Sequence, residues 1–205
     1  MTDAASDGAF ERLWVRTLGR LTEAAAHELR NALNGVAVNL EVVRSRAGRH
    51  DVAGDRLVPF AEAATGQLEL ATARAEALLA LARPVRGPAD IGKVIRDTLT
   101  VLGAKSPVNP TDSDASLPPA GEWAVGSDGA VVRLLLVELV LDGSAGSMRT
   151  MIRRTAEGIL LEIGGVKRSP DLKAALDFAA RQGIGVAERG DQITLTFADA
   201  GTTGA

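Results

Sequence analysis

The run Ala26-His27-Glu28-Leu29-Arg30-Asn31-Ala32-Leu33 sets a histidine, a carboxylate and an amide within about one helical turn. On a helix, residues four apart lie one above the other, so His27 and Asn31 share a face and Glu28 sits on its flank. A neutral imidazole nitrogen is a nucleophile, and an adjacent carboxylate can orient it and accept its proton. An amide one turn away can position a phosphoryl group or a water. Together these residue types suit phosphoryl transfer.

The surrounding segment has the composition needed to hold them. From about Phe10 to Ala47 there is no proline, and Ala, Leu, Glu and Arg dominate, which predicts one long helix. Leu18, Leu21, Ala25, Leu29, Leu33, Val36, Leu40 and Val43 recur at spacings of three and four and form a continuous apolar seam. His27 is two positions from both Ala25 and Leu29, roughly 200° around the helix from each. It therefore faces solvent rather than the seam. Gly35 is a mild cost inside a helix unless it allows close packing.

Ala47 to Asp55 reads as a polar turn carrying the second histidine, His50, with no ligand set around it at metal spacing. A second helix is expected from about Leu57 to Arg83, with Pro59 tolerable in its first turn. Its seam is Phe60, Ala64, Gln67, Leu68, Ala71, Ala75, Leu78 and Leu81. Two long helices joined by a short loop make an antiparallel hairpin, residues 10–83. A lone hairpin cannot enclose a core, so burial of its apolar surface predicts homodimerisation into a four-helix bundle.

Pro84 to Pro88 ends the hairpin as a linker, and the pattern changes over residues 90–198. Asp90 is the expected N-cap of a helix from Ile91 to Gly103. Ser106 to Gly121 is a Pro-, Ser- and Asp-rich loop. Glu122 to Gly126 can form a short strand, and Asp128 to Leu141 reads as a buried apolar helix. Ser147–Arg154 with Gly158–Ile163, and Ile184–Glu188 with Gln192–Phe197, read as hairpins flanking a helix over Asp171–Arg181. The tail from Ala198 is expected to fray. The fold class is α+β.

Composition limits the partners. The chain has 205 residues, 46% of them hydrophobic but only 3% aromatic, so the core must rest on Leu, Val, Ile and Ala. A net charge of −3 gives no electrostatic case for nucleic acid. The absence of cysteine suits a reducing, cytoplasmic setting. The first nine residues do not read as a secretory signal. The longest apolar run, Val131 to Val140, is interrupted by Arg133 and Glu138 and is too short to span a bilayer.

The run His27-Glu28-Leu29-Arg30-Asn31-Ala32-Leu33 resembles the phosphoacceptor box of sensor histidine kinases, with Ala32 where that family usually has proline. The element order of residues 90–198 is similar to the family's ATP-binding domain, a small α/β sandwich. The resemblance places Glu138 and Asp142 where the family carries two asparagines, the second of which ligates the magnesium on ATP. Ile163-Gly164-Gly165-Val166-Lys167-Arg168 stands where an Asp-x-Gly-x-Gly loop receives adenine, and no glycine-rich lid follows. Lys167 and Arg168, like Lys105, Arg149, Arg153 and Arg154, read as surface charge. The expectation is a degenerate ATPase domain that does not bind nucleotide.

What the resemblance then implies is a dimeric histidine phosphotransferase that relays phosphoryl groups between receiver-domain aspartates. His27 would be the nucleophile, Glu28 its orienter or base, and Asn31 a neighbour on the same face. No cofactor is expected to bind tightly, and Mg²⁺ is expected from the receiver partner. The expected partners are response-regulator receiver domains, with a hybrid histidine kinase as one candidate, and neither nucleic acid nor membrane. Two alternatives stand beside it: a receiver phosphatase acting through Glu28 and Asn31 on the same face, and a non-catalytic pseudokinase adaptor that binds receivers or kinases.

Overall fold

The helix-forming N-terminal segment runs without interruption as α1 (Ala4–Ala47), which starts ahead of the expected Phe10. A short 3-10 turn, Gly54–Arg56, leads into α2 (Val58–Ala82), with Pro59 in the first turn where its missing N–H costs nothing. The two helices pack against each other, and α1 also reaches the helices that follow. The computed structural model describes residues 4–47, 54–83, 87–103, 123–143 and 148–200. The expected turn with His50, most of the linker, and the loop with Lys105 lie outside them.

Gly35 earns its place in α1 by proximity: a Cβ there would stand 3.1 Å from Gln67 Cγ on α2. Leu21, Ala25 and Ala32 on α1 and Ala64, Ala71 and Leu81 on α2 are buried between the helices or beneath them. Other members of the expected seams are not covered. Leu33, Leu40 and Leu68 are about half exposed, as two helices alone leave them.

Beyond the hairpin, β1 (Ala89–Asp90) pairs antiparallel with β2 (Ala124–Val125). The sequence reading had no strand at 89–90, because a two-residue strand has no period to read. Asp90 also caps α3 (Ile91–Val101), its carboxylate accepting from the Lys93 amide at 2.7 Å. The helix stops two residues short of the expected Gly103, which takes the left-handed conformation (φ +62°). Asp128 caps α4 (Gly129–Asp142) in the same manner, at 2.8 Å from the Ala130 amide.

The remaining elements are β3 (Arg149–Thr155), β4 (Gly158–Gly164), α5 (Pro170–Arg181), β5 (Gly185–Arg189) and β6 (Gln192–Phe197). They form an antiparallel sheet in the order β3-β4-β6-β5. Register aligns Ile159 with Phe197, Leu161 with Leu195 and Ile163 with Ile193, so all six side chains face one side. That side is buried against the helices. The start of the tail is pinned rather than frayed: the Gly126 amide donates to Ala198 O at 2.8 Å, and Asp199 bridges to Val125.

One core runs through the hairpin base and the α/β part. Leu21, Ala25, Ala77 and Leu81 belong to the same buried cluster as Ile95, Leu135, Leu139, Leu161 and Phe197. Arg133 on α4 reinforces the junction by donating to Leu81 O at 2.7 Å and to Arg83 O. These carbonyls close the C-terminal end of α2, where a cation also meets the negative end of the helix dipole. Burial pulls the Arg133 guanidinium below its ordinary pKa, with the charge of Asp97 acting in the opposite sense. No helix among the described residues is long and apolar enough to cross a membrane.

Candidate functional site

His27 and Asn31 sit mid-way along α1, both exposed and one turn apart on the same face. Neither is engaged by another side chain among the described residues. Ala32 is 1% exposed and packed between the helices, so α1 passes through this region unbroken. A proline at that position would remove a backbone hydrogen bond and kink the helix. The imidazole therefore stands on an unbroken helix.

Glu28 does not share that exposure. Its carboxylate lies against α2, where Arg74 Nη2 is 3.2 Å from Oε2, and Arg74 Nη1 donates to the Glu28 carbonyl oxygen at 3.0 Å. The C-terminal end of α3 closes over this pair. A Cβ on Gly103 would stand 2.5 Å from Glu28 Oε2 and 2.6 Å from Arg74 Nη2. His27, Glu28 and Asn31 are thus neighbours on α1, but Glu28 is committed to an ion pair while the other two face solvent. Arg74 was not among the expected site residues. The available signal was an arginine between Ala71 and Leu78, at seam spacing in an Ala-rich helix.

The acids of α4 are also occupied. Glu138 is 1% exposed in a helix buried almost all round, and burying a carboxylate without partners is costly. Thr17 Oγ1 donates to Glu138 Oε1 at 2.5 Å, and Arg20 Nη1 donates to Oε2. Arg20 Nη2 donates to Asp142 Oδ1 at 2.5 Å, and the Ser169 amide donates to Asp142 Oδ2 at 3.0 Å. Arg16 completes the junction with Asp171 at 2.9 Å. Arg20 lies seven residues before His27, nearly on the same stripe and roughly 10 Å down the helix axis. The α/β part therefore grips α1 two turns below the imidazole.

Burial, the largest influence, raises the Glu138 pKa, as do the charges of Asp142 and Asp171; Thr17 and Arg20 work against them. Burial also works to lower the Arg20 pKa. The hydrogen bond to Asp142 and the charges of Glu138, Asp142 and Asp171 outweigh it and raise the value.

The segment after β4 returns directly to α4: Lys167 N donates to Asp142 O at 2.9 Å, and Val166 bridges to Gly143. Arg168 donates to Gly190 O and pairs with Glu188, Arg153 approaches Glu162, and Arg154 pairs with Asp199 and stacks on Trp123. Lys167 and Arg149 are exposed. Among the described residues, no group of three or more histidines or acids is placed to hold a metal ion. Neither a scan of protein-family models nor a search of curated proteins finds a match for this chain.

Proposed function

We propose that the chain is a histidine phosphotransferase, taking a phosphoryl group from one receiver-domain aspartate and passing it to another. The observation that carries this reading is an exposed His27, with Asn31 one turn away, in a run resembling the histidine kinase acceptor box. In the forward step an imidazole nitrogen attacks phosphorus. The N–P bond forms as the P–O bond to aspartate breaks, and the electron pair leaves with the aspartate carboxylate. The receiver brings its own Mg²⁺, which polarises the transferring group.

We also read the α/β part as the relic of an ATP-binding domain, and the chain as a homodimer built on a four-helix bundle. The residues facing the supposed nucleotide side do not fit that ligand. Arg20 already fills the space between Glu138 and Asp142, and a triphosphate would meet two carboxylates rather than two amides. No step is therefore routed through ATP. The half-exposed Leu33, Leu40, Leu68 and Leu79 on α1 and α2 support pairing of two hairpins. Response-regulator receivers are the partners in this scheme, with a hybrid histidine kinase as one candidate, and it operates in the cytoplasm.

The experiment incubates a panel of phosphorylated receiver domains with wild type, His27→Ala and Asn31→Ala. Phosphotransfer gives acid-labile label on wild type and on Asn31→Ala, and none on His27→Ala. The exposure of Asn31 beside His27 favours a second reading, a receiver phosphatase in which the amide orients water. That activity releases free phosphate, survives His27→Ala at least in part and fails in Asn31→Ala. Binding with no change in label marks an adaptor, and a panel that neither binds nor loses phosphate overturns the assignment.

A further inference from the structure

The Glu28–Arg74 pair points to a role that the acceptor run alone does not contain. Arg74 is 13% exposed, on the inner side of an Ala-rich helix, and Glu28 is 27% exposed. An arginine in such a place is held there only if its guanidinium is matched. Among the described residues its polar contacts are both to one residue: the carboxylate of Glu28 and the carbonyl oxygen of Glu28. Gly103, just past the end of α3, lies over them, and a Cβ there would press on the ends of both side chains. Side chain and backbone of Glu28 are thus fixed together, one residue from His27 and 46 residues away from the arginine that fixes them.

We propose that Arg74 is the positioning residue of the His27 site, a proposal that rests on His27 accepting a phosphoryl group. It holds Glu28, the residue next to His27 in α1, against α2 and offsets its charge. The offset matters because the incoming phosphoryl group is itself anionic, and an unpaired carboxylate beside the nucleophile would repel it. Held at two points by Arg74, Glu28 does not swing toward the ring as the N–P bond forms. Arg74 touches neither phosphorus nor imidazole, and acts through Glu28.

The test uses two phosphoryl donors. Phosphoramidate transfers its phosphoryl group directly to an imidazole nitrogen and loses ammonia, so it reads the state of His27 with no receiver present. A phosphorylated receiver reads the complete reaction. Label at His27 is taken as the difference from His27→Ala, which leaves only His50 to react. Rates are compared for wild type, Arg74→Met, Arg74→Lys, Glu28→Gln and the Glu28→Gln/Arg74→Met double variant, with thermal midpoints measured alongside.

Arg74→Met should slow labelling of His27 by about tenfold or more with both donors, the scale expected when a reacting arrangement loses its fixed geometry. Arg74→Lys, which restores the charge but not the two-point hold, should recover part of that loss. In the Glu28→Gln background the added Arg74→Met change should alter the rate by less than about twofold, because residues that act through one another are not additive. A wild-type rate in Arg74→Met, or an equal loss in both backgrounds, overturns the proposal. Should Arg74→Met fail to fold, Arg74→Lys alone decides: a wild-type rate overturns the proposal, and a reduced rate that Glu28→Gln abolishes upholds it. If phosphoramidate shows the coupling but no receiver donates to wild type, Arg74 positions Glu28 and the phosphotransfer reading fails. If receivers donate and no coupling is found, the reverse holds.

Discussion

Arg20 of α1 donates to the Glu138 carboxylate of α4 across 118 residues of sequence, and the same guanidinium donates to Asp142 one turn further on. Arg133 makes the reciprocal contact, reaching from α4 to the last carbonyls of α2. Two arginines crossing in opposite directions therefore fasten the hairpin to the α/β part, beside an apolar core that they share. In such an arrangement the α/β part is a fixed support for α1, with the Arg20 contacts two turns before His27.

Removing Arg20 should leave two nearly buried carboxylates without their cation. Arg20→Met is expected to destabilise the fold by about 3 kcal/mol, the lower end for a broken buried pair because Arg20 keeps some exposure. In a Glu138→Leu background the same change should cost less, since one of the stranded charges is gone. Urea unfolding of the four proteins measures both values. Equal costs in the two backgrounds would show that Arg20 and Glu138 do not interact energetically.

The raised pKa of Glu138 fixes the sign of a pH effect. Between the ordinary carboxylate value of about 4.3 and the raised one, the native state holds more protons than the unfolded chain. This contribution to stability is complete below the ordinary value and is lost as pH rises through the raised one. Glu138→Gln has no proton to lose there. The wild-type stability minus that of Glu138→Gln should therefore fall as pH increases through the mildly acidic range. Parallel unfolding curves across that range would contradict the assignment.

Ala32 occupies the place where the resembling acceptor box carries proline, yet here it is buried in an unbroken helix. Ala32→Pro should cost about 3 kcal/mol or more, through a lost hydrogen bond and the clash of the ring with the preceding turn. Circular dichroism and urea unfolding read the loss. An unchanged midpoint would mean that α1 accommodates a kink at its centre.

Gly103 combines a left-handed backbone with contact to both members of the Glu28–Arg74 pair. Gly103→Ala should destabilise by about 1 kcal/mol from backbone strain, with the ends of the Glu28 and Arg74 side chains shifting to admit the Cβ. It should also slow phosphoramidate labelling of His27 in the same direction as Arg74→Met. A stable variant labelled at the wild-type rate would show that the roof over Glu28 is not needed.

Pairing of two hairpins is tested by charge on the uncovered stripe. Leu33→Glu with Leu68→Glu replaces two half-exposed apolar side chains and should give a monomer by light scattering with helix content retained. A dimer that survives both changes would move the interface elsewhere, and a monomeric wild type would remove it.

Much of the scaffold was written locally. The seam of α1 and α2, the caps at Asp90 and Asp128, and the alternation in β4 and β6 each depend on residues a few positions apart. Such signals survive without knowledge of the rest of the chain. The exposure of His27 followed in the same way from its angle to Ala25 and Leu29. The two-residue strand β1 was invisible because its partner β2 lies more than 30 residues away and neither has a period of its own.

What tertiary structure alone decided is the fate of the charges. A linear reading singles out Glu28, Glu138 and Asp142 but not their partners, and only folding brings Arg74 to the first and Arg20 to the other two. Ion pairs carry no periodicity, since their members are joined by distance in space and by the cost of burying an unmatched charge. The sequence by itself determined an exposed histidine on a helix and the elements that hold it. The approach of α2, α3 and α4 determined which neighbouring charges remain free to act, because each buried charge must find its partner within reach.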